Sequence, residues 1–269
     1  MKTKMNTNIN KIVIKIGTSS LTYPNGKLNL RQIKNLSEVC TNLRNSNKQV
    51  IIVSSGAIGA GIGKLGLSSK PQQLEMKQAM AAIGQAFLIQ LYQKYFSEYG
   101  QICAQVLLTE EVMKNEIQRD NVIRTLSKLH ELGVIPIINE NDTVSIDEIE
   151  GTLFSDNDHL SAMVSVLTGA DLLVLMSDID GLYKKENGLL SNSIIKYVSK
   201  IDEDIYSCVS NDKSKLGSGG MLSKLDSIKY VMEHDIDAVI CNSNNMDIIY
   251  DILDGQKNGE YTYFKKEVS

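Results

Sequence analysis

The sequence predicts an α/β fold: a mainly parallel sheet with helices on both faces, forming a three-layer α/β/α sandwich. Short apolar runs rich in β-branched residues recur along the chain, and segments with apolar residues three and four positions apart lie between them. The runs are apolar at consecutive positions, as in strands that are buried on both faces. The alternation of strand and helix favours right-handed crossovers and a ligand site outside the carboxyl ends of the strands.

Strands and helices can be assigned in chain order from these patterns. Sheet strands are predicted at residues 11–16, 49–53, 102–107, 134–138, 171–176 and 237–241, with a last strand at 261–264. Helical spacing marks residues 33–43, 74–99, 122–132 and 222–232. Residues 145–154 are predicted to form a small protruding hairpin.

The composition indicates one folded unit. The chain has 269 residues, of which 42% are hydrophobic and 22% charged, and its 3 prolines leave no Pro-rich linker. No shift in composition divides it. We therefore predict a single domain over residues 1–269, with no room for a second module after the last strand.

Charge and hydropathy disfavour several classes of partner. The formal charge of −4 repels a polyanionic duplex, which argues against nucleic acid, although a few lysines and backbone N–H groups can still bind a nucleotide phosphate. The absence of a long apolar run predicts a cytoplasmic protein without a membrane partner. The 4 cysteines have no metal-site or redox spacing and are interpreted as small buried hydrophobes; no protein metal site is predicted.

Lys15 is unusual in the first strand. It lies between Ile14 and Ile16, directly before the glycine turn at Gly17. One interpretation is an edge lysine whose ammonium group reaches solvent. Because the neighbouring side chains leave no polar face, we favour an ammonium group that points past the strand end at an anion.

Small residues follow the second strand, at positions 54–61. Backbone N–H groups in such a loop can approach an oxyanion closely. Residues 61–66 match G-x-G-x-x-G, the dinucleotide fingerprint, but the match begins well beyond the strand end and lacks the expected acidic residue, so we favour glycines that pack helices together. A Walker A motif is absent because positions 58 and 65 hold Ile58 and Leu65.

Three further polar loops lie at predicted strand or helix ends. Residues 139–142 and 156–159 are rich in Asn and Asp, which are usually structural in turns. Their place at the ligand edge of the sheet nevertheless favours a zwitterionic substrate with an amine, whereas His159 is interpreted as a helix-start residue. Residues 177–183 follow the fifth strand. Residues 217–224 could be a flexible turn, but glycines that open a helix and end in a hydroxyl and a lysine favour phosphate binding.

These motifs together resemble the amino acid kinase family, in particular its glutamate 5-kinase branch. The segments that carry the resemblance run in the family's order: 15–19, 54–58, Gly84-Gln85, 139–142, 156–161, Asp178 with 181–183, and 219–221 with Lys224. Each motif has low specificity by itself, and the combination has high specificity. The resemblance implies ATP-dependent phosphorylation of the side-chain carboxylate of L-glutamate, with glutamate bound by the N-terminal part and ATP by the C-terminal part.

The resemblance also implies roles for individual residues. Lys15 and Lys224 would hold the transferring phosphoryl group, with Asp158 between them orienting both ammonium groups. Ser55, Asp142 and Asn157 would bind glutamate. The residues implied at ATP are Lys15, Ser177, Asp178, Ser218, Gly219, Gly220, Met221, Leu222, Ser223 and Lys224.

Further properties follow from the resemblance alone. It implies Mg²⁺ held chiefly by the ATP phosphates, inhibition by proline, and a homo-oligomer, either a dimer or a tetramer. Many family members carry a C-terminal PUA domain, and we expect this chain to function without one.

The chemistry of a carboxylate acceptor also favours a kinase. A carboxylate with a pKa of about 4.3 is already ionised at neutral pH, so the acceptor needs no general base and the site needs no catalytic histidine. Alternatives are a kinase for acetylglutamate or aspartate, a catalytically silent amino acid or nucleotide sensor, and last an NAD oxidoreductase. The presence of Lys15, Asp158 and Lys224 argues against the sensor, because a binder needs no cation pair at a transferred phosphate.

Overall fold

The computed structural model describes residues 9–23, 26–144, 157–186, 189–209, 220–256 and 259–266. Eight strands within these ranges form one sheet in the order β3-β4-β2-β1-β5-β9-β10-β8, and β6 and β7 form a separate antiparallel hairpin. The strands are β1 (Lys11–Ile16), β2 (Gln49–Ser54), β3 (Cys103–Leu108), β4 (Ile135–Glu140), β5 (Leu172–Ser177), β6 (Tyr183–Glu186), β7 (Leu189–Ile194), β8 (Tyr197–Val198), β9 (Asp237–Asn242) and β10 (Tyr261–Phe264).

The helices of the same ranges surround this sheet. They are α1 (Thr18–Leu21), α2 (Leu30–Asn45), α3 (Ala57–Leu65), α4 (Leu74–Glu98), α5 (Glu110–Lys114), α6 (Glu116–Glu131), α7 (Asn157–Thr168), α8 (Glu203–Ser207), α9 (Met221–Glu233) and α10 (Ile248–Leu253). The predicted α/β class is therefore confirmed. None of the described helices is both long enough and apolar enough to cross a membrane.

The sheet is parallel over six neighbouring strands and reverses at one edge. β3, β4, β2, β1, β5 and β9 run in the same direction, whereas β10 pairs antiparallel with β9. The last strand was predicted at its observed position, but apolar patterning carries no information about its direction. The carboxyl ends of the six parallel strands consequently lie along one edge, which we call the carboxyl edge.

Each face of the sheet supports its own apolar core. Ile12, Ile14 and Ile16 pack on the face covered by α2 and α4. Val13 belongs to the core of the opposite face, which includes residues of α7 and α9. Because side chains alternate along a strand, Lys15 lies on the same face as Val13, under α7 and α9.

The crossover after β4 places the start of α7 at the carboxyl edge. β4 and β5 lie on opposite sides of β2 and β1 in the sheet order, so the connection must pass over these two central strands. α7 contacts β1, β2, β4 and β5, and Asp158 in its first turn contacts Lys15 near the end of β1. The predicted hairpin at 145–154 and Asp156 lie outside the described residues.

Close glycine contacts join α3 to α4 and to the preceding loop. A methyl group on Gly61 would overlap the carbonyl of Met80, and one on Gly63 would overlap the carbonyl of Gly26. A methyl group on Gly84 would overlap the Ala57 carbonyl and lie 2.5 Å from the Gly61 nitrogen. The interpretation as helix-packing glycines is confirmed for Gly61, whereas Gly63 packs against the loop at Gly26 and Gly66 is the left-handed C-cap of α3 with no atom near a Cβ at that position.

Three of the four cysteines are buried as predicted. Cys40, Cys103 and Cys241 are buried, and burial raises the pKa of each thiol, to about 11 for Cys103 and to about 12 for Cys241. The prediction was wrong for Cys208, which is half-buried at the end of the short helix α8. Cys208 is the C-cap residue of this short surface helix, so protein atoms cover it on one side only.

His130, near the end of α6, is expected to make the fold sensitive to acid. Both ring nitrogens are buried and have no hydrogen-bond partner among the described residues. Burial, followed by the charges of Lys11 and Arg44, lowers the pKa of His130 to about 4. The unfolded imidazole titrates near 6.5, so the fold should lose stability as pH falls from 6.5 towards 4.

The measurement is the urea midpoint of unfolding between pH 7 and pH 5. We expect the midpoint of the natural protein to fall more steeply over this range than that of His130→Phe, which cannot titrate. Equal slopes for the two proteins would contradict a neutral, buried imidazole at this position.

Candidate active site

An ion-pair cluster of three side chains lies at the carboxyl edge. Lys15 Nζ lies 2.6 Å from Asp158 Oδ1, and Lys224 Nζ lies 2.9 Å from Asp158 Oδ2. The Asp158 side chain is 0% exposed, and those of Lys15 and Lys224 are 8% and 9% exposed. A single carboxylate thus bridges two ammonium groups that come from separate parts of the chain.

Local structure explains how each member of this cluster reaches the site. Lys15 is the penultimate residue of β1 on the face covered by α7 and α9. Asp158 lies in the first turn of α7, where the helix dipole favours a carboxylate, and its own carbonyl accepts a hydrogen bond from Ser161 Oγ at 2.6 Å. Lys224 is one turn into α9, which packs against α7.

The anion that pairs with Lys15 in the structure is a side chain of the protein itself, Asp158. Its ammonium group lies beside the glycine turn, since a Cβ on Gly17 would lie 3.5 Å from Lys15 Nζ. The apolar neighbours of Lys15 predict an anion beyond the strand end, and the observed anion is Asp158. An anionic ligand would therefore meet an ammonium group that is already held in position.

The two lysines determine the ionisation of Asp158. Burial alone raises the pKa of Asp158, but the charges and hydrogen bonds of Lys15 and Lys224 outweigh burial and lower it to about 2. The carboxylate is therefore ionised at neutral pH. Its pKa lies below the usual value near 3.9, so the stability it contributes is complete above pH 4 and is lost as pH falls through 2.

A second cluster of polar side chains lies at the ends of β2 and β4, which are neighbours in the sheet. Asn139 Nδ2 donates to Gln85 Oε1 of α4 at 2.7 Å, and its Oδ1 is buried and accepts no hydrogen bond from the described part of the chain. The residues predicted to bind glutamate, Ser55, Asp142 and Asn157, are buried at this edge, with 5%, 5% and 4% exposure. The Ser55 N–H donates to the Ile16 carbonyl at 3.1 Å, which ties this loop to β1.

Of the described residues predicted at ATP, Lys15 lies on β1, Ser177 and Asp178 lie at the end of the neighbouring strand β5, and the others lie at the start of α9. Ser177 ends β5, is buried, and donates to Asp178 Oδ1 at 3.0 Å, while Asp178 itself is exposed. The start of α9 is formed by the N-cap residue Gly220 and by Met221, Leu222 and Ser223. Leu222 is exposed and the other three are half-buried. Ser218 and Gly219 precede the described part of this segment.

The loop after β9 is a part of the carboxyl edge to which no function was predicted. Residues 242–245 read Asn-Ser-Asn-Asn and follow a predicted strand, which is the same signal that identified the other polar loops. In the structure, Asn242 Nδ2 donates to Asp180 Oδ1 at 2.7 Å and Ser243 Oγ donates to Ser20 Oγ at 2.7 Å. This loop is therefore part of the carboxyl edge.

The carboxyl edge has few candidate metal ligands among its described side chains. Across the described ranges no group of three or more His, Cys, Asp or Glu side chains is arranged to hold a metal ion. Both oxygens of Asp158 contact lysine ammonium groups. A divalent cation at this site would therefore need most of its oxygen ligands from a bound molecule.

The chain is similar to proteins of known family. Residues 10–242 match the model of the amino acid kinase family. The chain is 46% identical over 258 residues to glutamate 5-kinase of Clostridium perfringens, covering 95% of this chain and 96% of the relative. It is 45% identical over 262 residues to glutamate 5-kinase of Listeria innocua, covering 97% of this chain and 95% of the relative.

Solved structures share the fold at low sequence identity. A substrate complex of isopentenyl phosphate kinase superposes with a TM-score of 0.62 at 17% identity, covering 95% of this chain and 100% of that one. A product complex of isopentenyl phosphate kinase from T. acidophilum gives 0.61 at 16% identity, with the same coverage. At this identity the likeness shows a common fold and nothing about the substrate.

Proposed function

The chain belongs to the amino acid kinase family, and from this premise we propose that it transfers the γ-phosphoryl group of ATP to the side-chain carboxylate of L-glutamate. The product is L-glutamyl 5-phosphate, which is formed in the first step of proline biosynthesis. The names of the curated relatives support the substrate. The observation in the structure that carries the proposal is the Asp158 carboxylate that bridges Lys15 and Lys224.

The main chemical obstacle to this reaction is charge repulsion. Glutamate attacks with an anionic carboxylate, and two like charges 4 Å apart cost about 4 kcal/mol at an effective dielectric of 20. The cluster of two ammonium groups and one carboxylate has a net charge of +1 and is almost entirely buried, so its field is weakly screened. We assign Lys15 and Lys224 to the transferring phosphoryl group, whose charge they stabilise.

Asp158 acts by orientation in this proposal and exchanges no proton. With a pKa of about 2 it is a poor base at neutral pH. The acceptor carboxylate is ionised already and needs no base. Asp158 instead holds the two ammonium groups close together and offsets their mutual repulsion, so that no reorganisation is needed when the phosphoryl group moves between acceptor and donor.

The polar groups on either side of β1 would bind the two substrates. We assign Ser55, Asp142 and Asn157 to glutamate, since a carboxylate and buried polar side chains suit a zwitterion. We assign Ser177, Asp178 and the segment 218–224 to ATP. Mg²⁺, held chiefly by phosphate oxygens, would neutralise part of the triphosphate charge. Proline inhibition and a dimer or tetramer belong to the same proposal and rest on the family resemblance.

The test of the acceptor uses chemical trapping. The protein is incubated with ATP, Mg²⁺ and one acid at a time, and any acyl phosphate is converted by hydroxylamine into a coloured hydroxamate. We expect hydroxamate from L-glutamate, and at least 100-fold less from N-acetylglutamate, because blocking the amine removes the charge that Asp142 would neutralise; this factor corresponds to about 2.7 kcal/mol.

The variant Asp142→Asn tests the predicted contact with the glutamate amine in the same assay. It should raise the KM for glutamate while leaving the KM for ATP near its natural value. Hydroxamate formed equally well from N-acetylglutamate or aspartate would contradict glutamate as the acceptor.

A further inference from the structure

The loop after β9 lies next to the proposed nucleotide loop without belonging to it. β9 pairs in parallel with β5 as far as the partners Ser177 and Asn242. The ladder between β1 and β5 ends at Ile16 and Met176. Beyond these points the sheet no longer sets the distance between the loop after β1 and the loop after β5.

Ser243 joins these two loops by two hydrogen bonds. Its backbone N–H donates to the Ser177 carbonyl at 2.8 Å, and its hydroxyl donates to Ser20 Oγ at 2.7 Å. Ser243 and Ser20 are 2% and 6% exposed. Ser20 in turn lies in α1, and its N–H donates to the carbonyl of Gly17 at 3.1 Å.

The rest of this loop is held in place by its own contacts. Asn242 Nδ2 donates to Asp180 Oδ1 at 2.7 Å, and Asp180 Oδ2 accepts from the Tyr183 hydroxyl at 2.9 Å. The Asn244 N–H donates to Asn242 Oδ1 at 2.9 Å, and Gln32 Nε2 donates to Asn244 Oδ1 at 3.3 Å. Ser243 is therefore held in place by its neighbours on both sides, and its two hydrogen bonds fix the position of the loop after β1 relative to the loop after β5.

We propose that Ser243 is a positioning residue for the nucleotide, because its hydroxyl holds the turn after β1 at a set distance from the loop after β5. The inference rests on the proposed function, which assigns Ser177 and Asp178, at the loop after β5, to ATP and Lys15, directly before the turn after β1, to the transferring phosphoryl group. Ser243 acts through Ser20 and Ser177 and is not itself catalytic. A buried hydroxyl pair is well suited to this task, since loss of one partner leaves the other unsatisfied away from water.

The experiment compares four variants for nucleotide binding in the absence of any acid. The variants are Ser243→Ala, Ser20→Ala, the double variant, and Ser37→Ala as control. Ser37 is 0% exposed, and its hydroxyl donates to the Ile33 carbonyl of the same helix at 2.8 Å. The probe is the non-hydrolysable analogue AMPPNP with Mg²⁺, titrated by calorimetry.

We expect each single variant at positions 20 and 243 to raise the Kd for AMPPNP about fivefold to tenfold, the size expected from one buried hydrogen bond. The double variant should be no weaker than the weaker single variant, because both changes remove the same bond. Ser37→Ala should bind like the natural protein. In turnover assays the KM for ATP should rise while the KM for glutamate stays within twofold.

Two results would overturn the inference. One is a Kd for Ser243→Ala equal to that of the natural protein, and the other is a double variant in which the two single effects multiply. The calorimetric titration is done without any acceptor acid. The measured Kd for AMPPNP therefore does not depend on which acid the trapping assay identifies as the acceptor. A wrong acceptor and a wrong role for Ser243 are thereby distinguished.

Discussion

Lys224→Ala is expected to lower kcat by at least 100-fold, about 3 kcal/mol of transition-state stabilisation, with glutamate binding largely kept. The Lys224 ammonium group lies 2.9 Å from Asp158 and belongs to the cluster that we assign to the transferring phosphoryl group. Removing it leaves Asp158 paired with Lys15 alone, so the net charge of the cluster falls from +1 to zero. The measurement is steady-state kinetics with glutamate and ATP varied separately.

The matched control is Lys229→Ala, because Lys229 is exposed on the same helix, α9. It removes the same charge from the protein surface and should leave kcat within about twofold, as surface changes usually do. The unfolding midpoints of both variants show whether a loss of activity reflects a loss of fold. Turnover of Lys224→Ala close to that of the control would refute the role assigned to this lysine.

Gly84→Ala should destabilise the protein by about 2 kcal/mol or more, the opposite of its effect in an isolated helix. Alanine is favoured over glycine in helix interiors by up to about 1 kcal/mol. Here the added methyl group would overlap the Ala57 carbonyl, a backbone atom that cannot rotate away. The measurement is the free energy of unfolding in urea.

Gly59→Ala in α3 is the control for this prediction. A Cβ at Gly59 would meet the methyl group of Thr22 at 3.4 Å and that of Thr18 at 3.7 Å, which are ordinary van der Waals contacts. It should be neutral or slightly stabilising. Equal stabilisation by both substitutions would show that α3 and α4 are not in close backbone contact at Gly84.

The same substitution at Gly84 should also affect the site. Gln85, the next residue of α4, accepts the hydrogen bond from Asn139 at 2.7 Å, and Ala57 begins the helix that follows Ser55. Displacing α4 moves both of these groups. We therefore expect the KM for glutamate to rise in whatever fraction of Gly84→Ala remains folded.

Several elements were predictable because their signal is local. The run at 11–16 matches β1, and Lys15 was identified from its apolar neighbours alone. The predicted helix at 122–132 missed one and a half turns of α6, which begins at Glu116 with Asn115 accepting from the Gln118 N–H at 3.1 Å. Asn115 is a standard N-cap residue, so the sequence contained that signal.

Other elements had no sufficient local signal. α3 contains three glycines at positions 59, 61 and 63, which weaken helix propensity, and packing against α4 compensates for that weakness. The hairpin Tyr183–Ile194 has a polar first strand that does not match the apolar pattern used for sheet strands. Tertiary contacts determine the secondary structure of such segments because their intrinsic helix and strand propensities are weak.

The sequence by itself determined the α/β class, the strands of the parallel sheet and the lysine at the end of β1, since burial and periodicity act between near neighbours in the chain. The tertiary structure decided that Asp158 contacts both Lys15 and Lys224, the latter 66 residues away, and that Ser243 bonds to Ser20 across 223 residues. Contacts of this range depend on strand order and helix packing. Those are properties of the whole fold, and no local pattern specifies them.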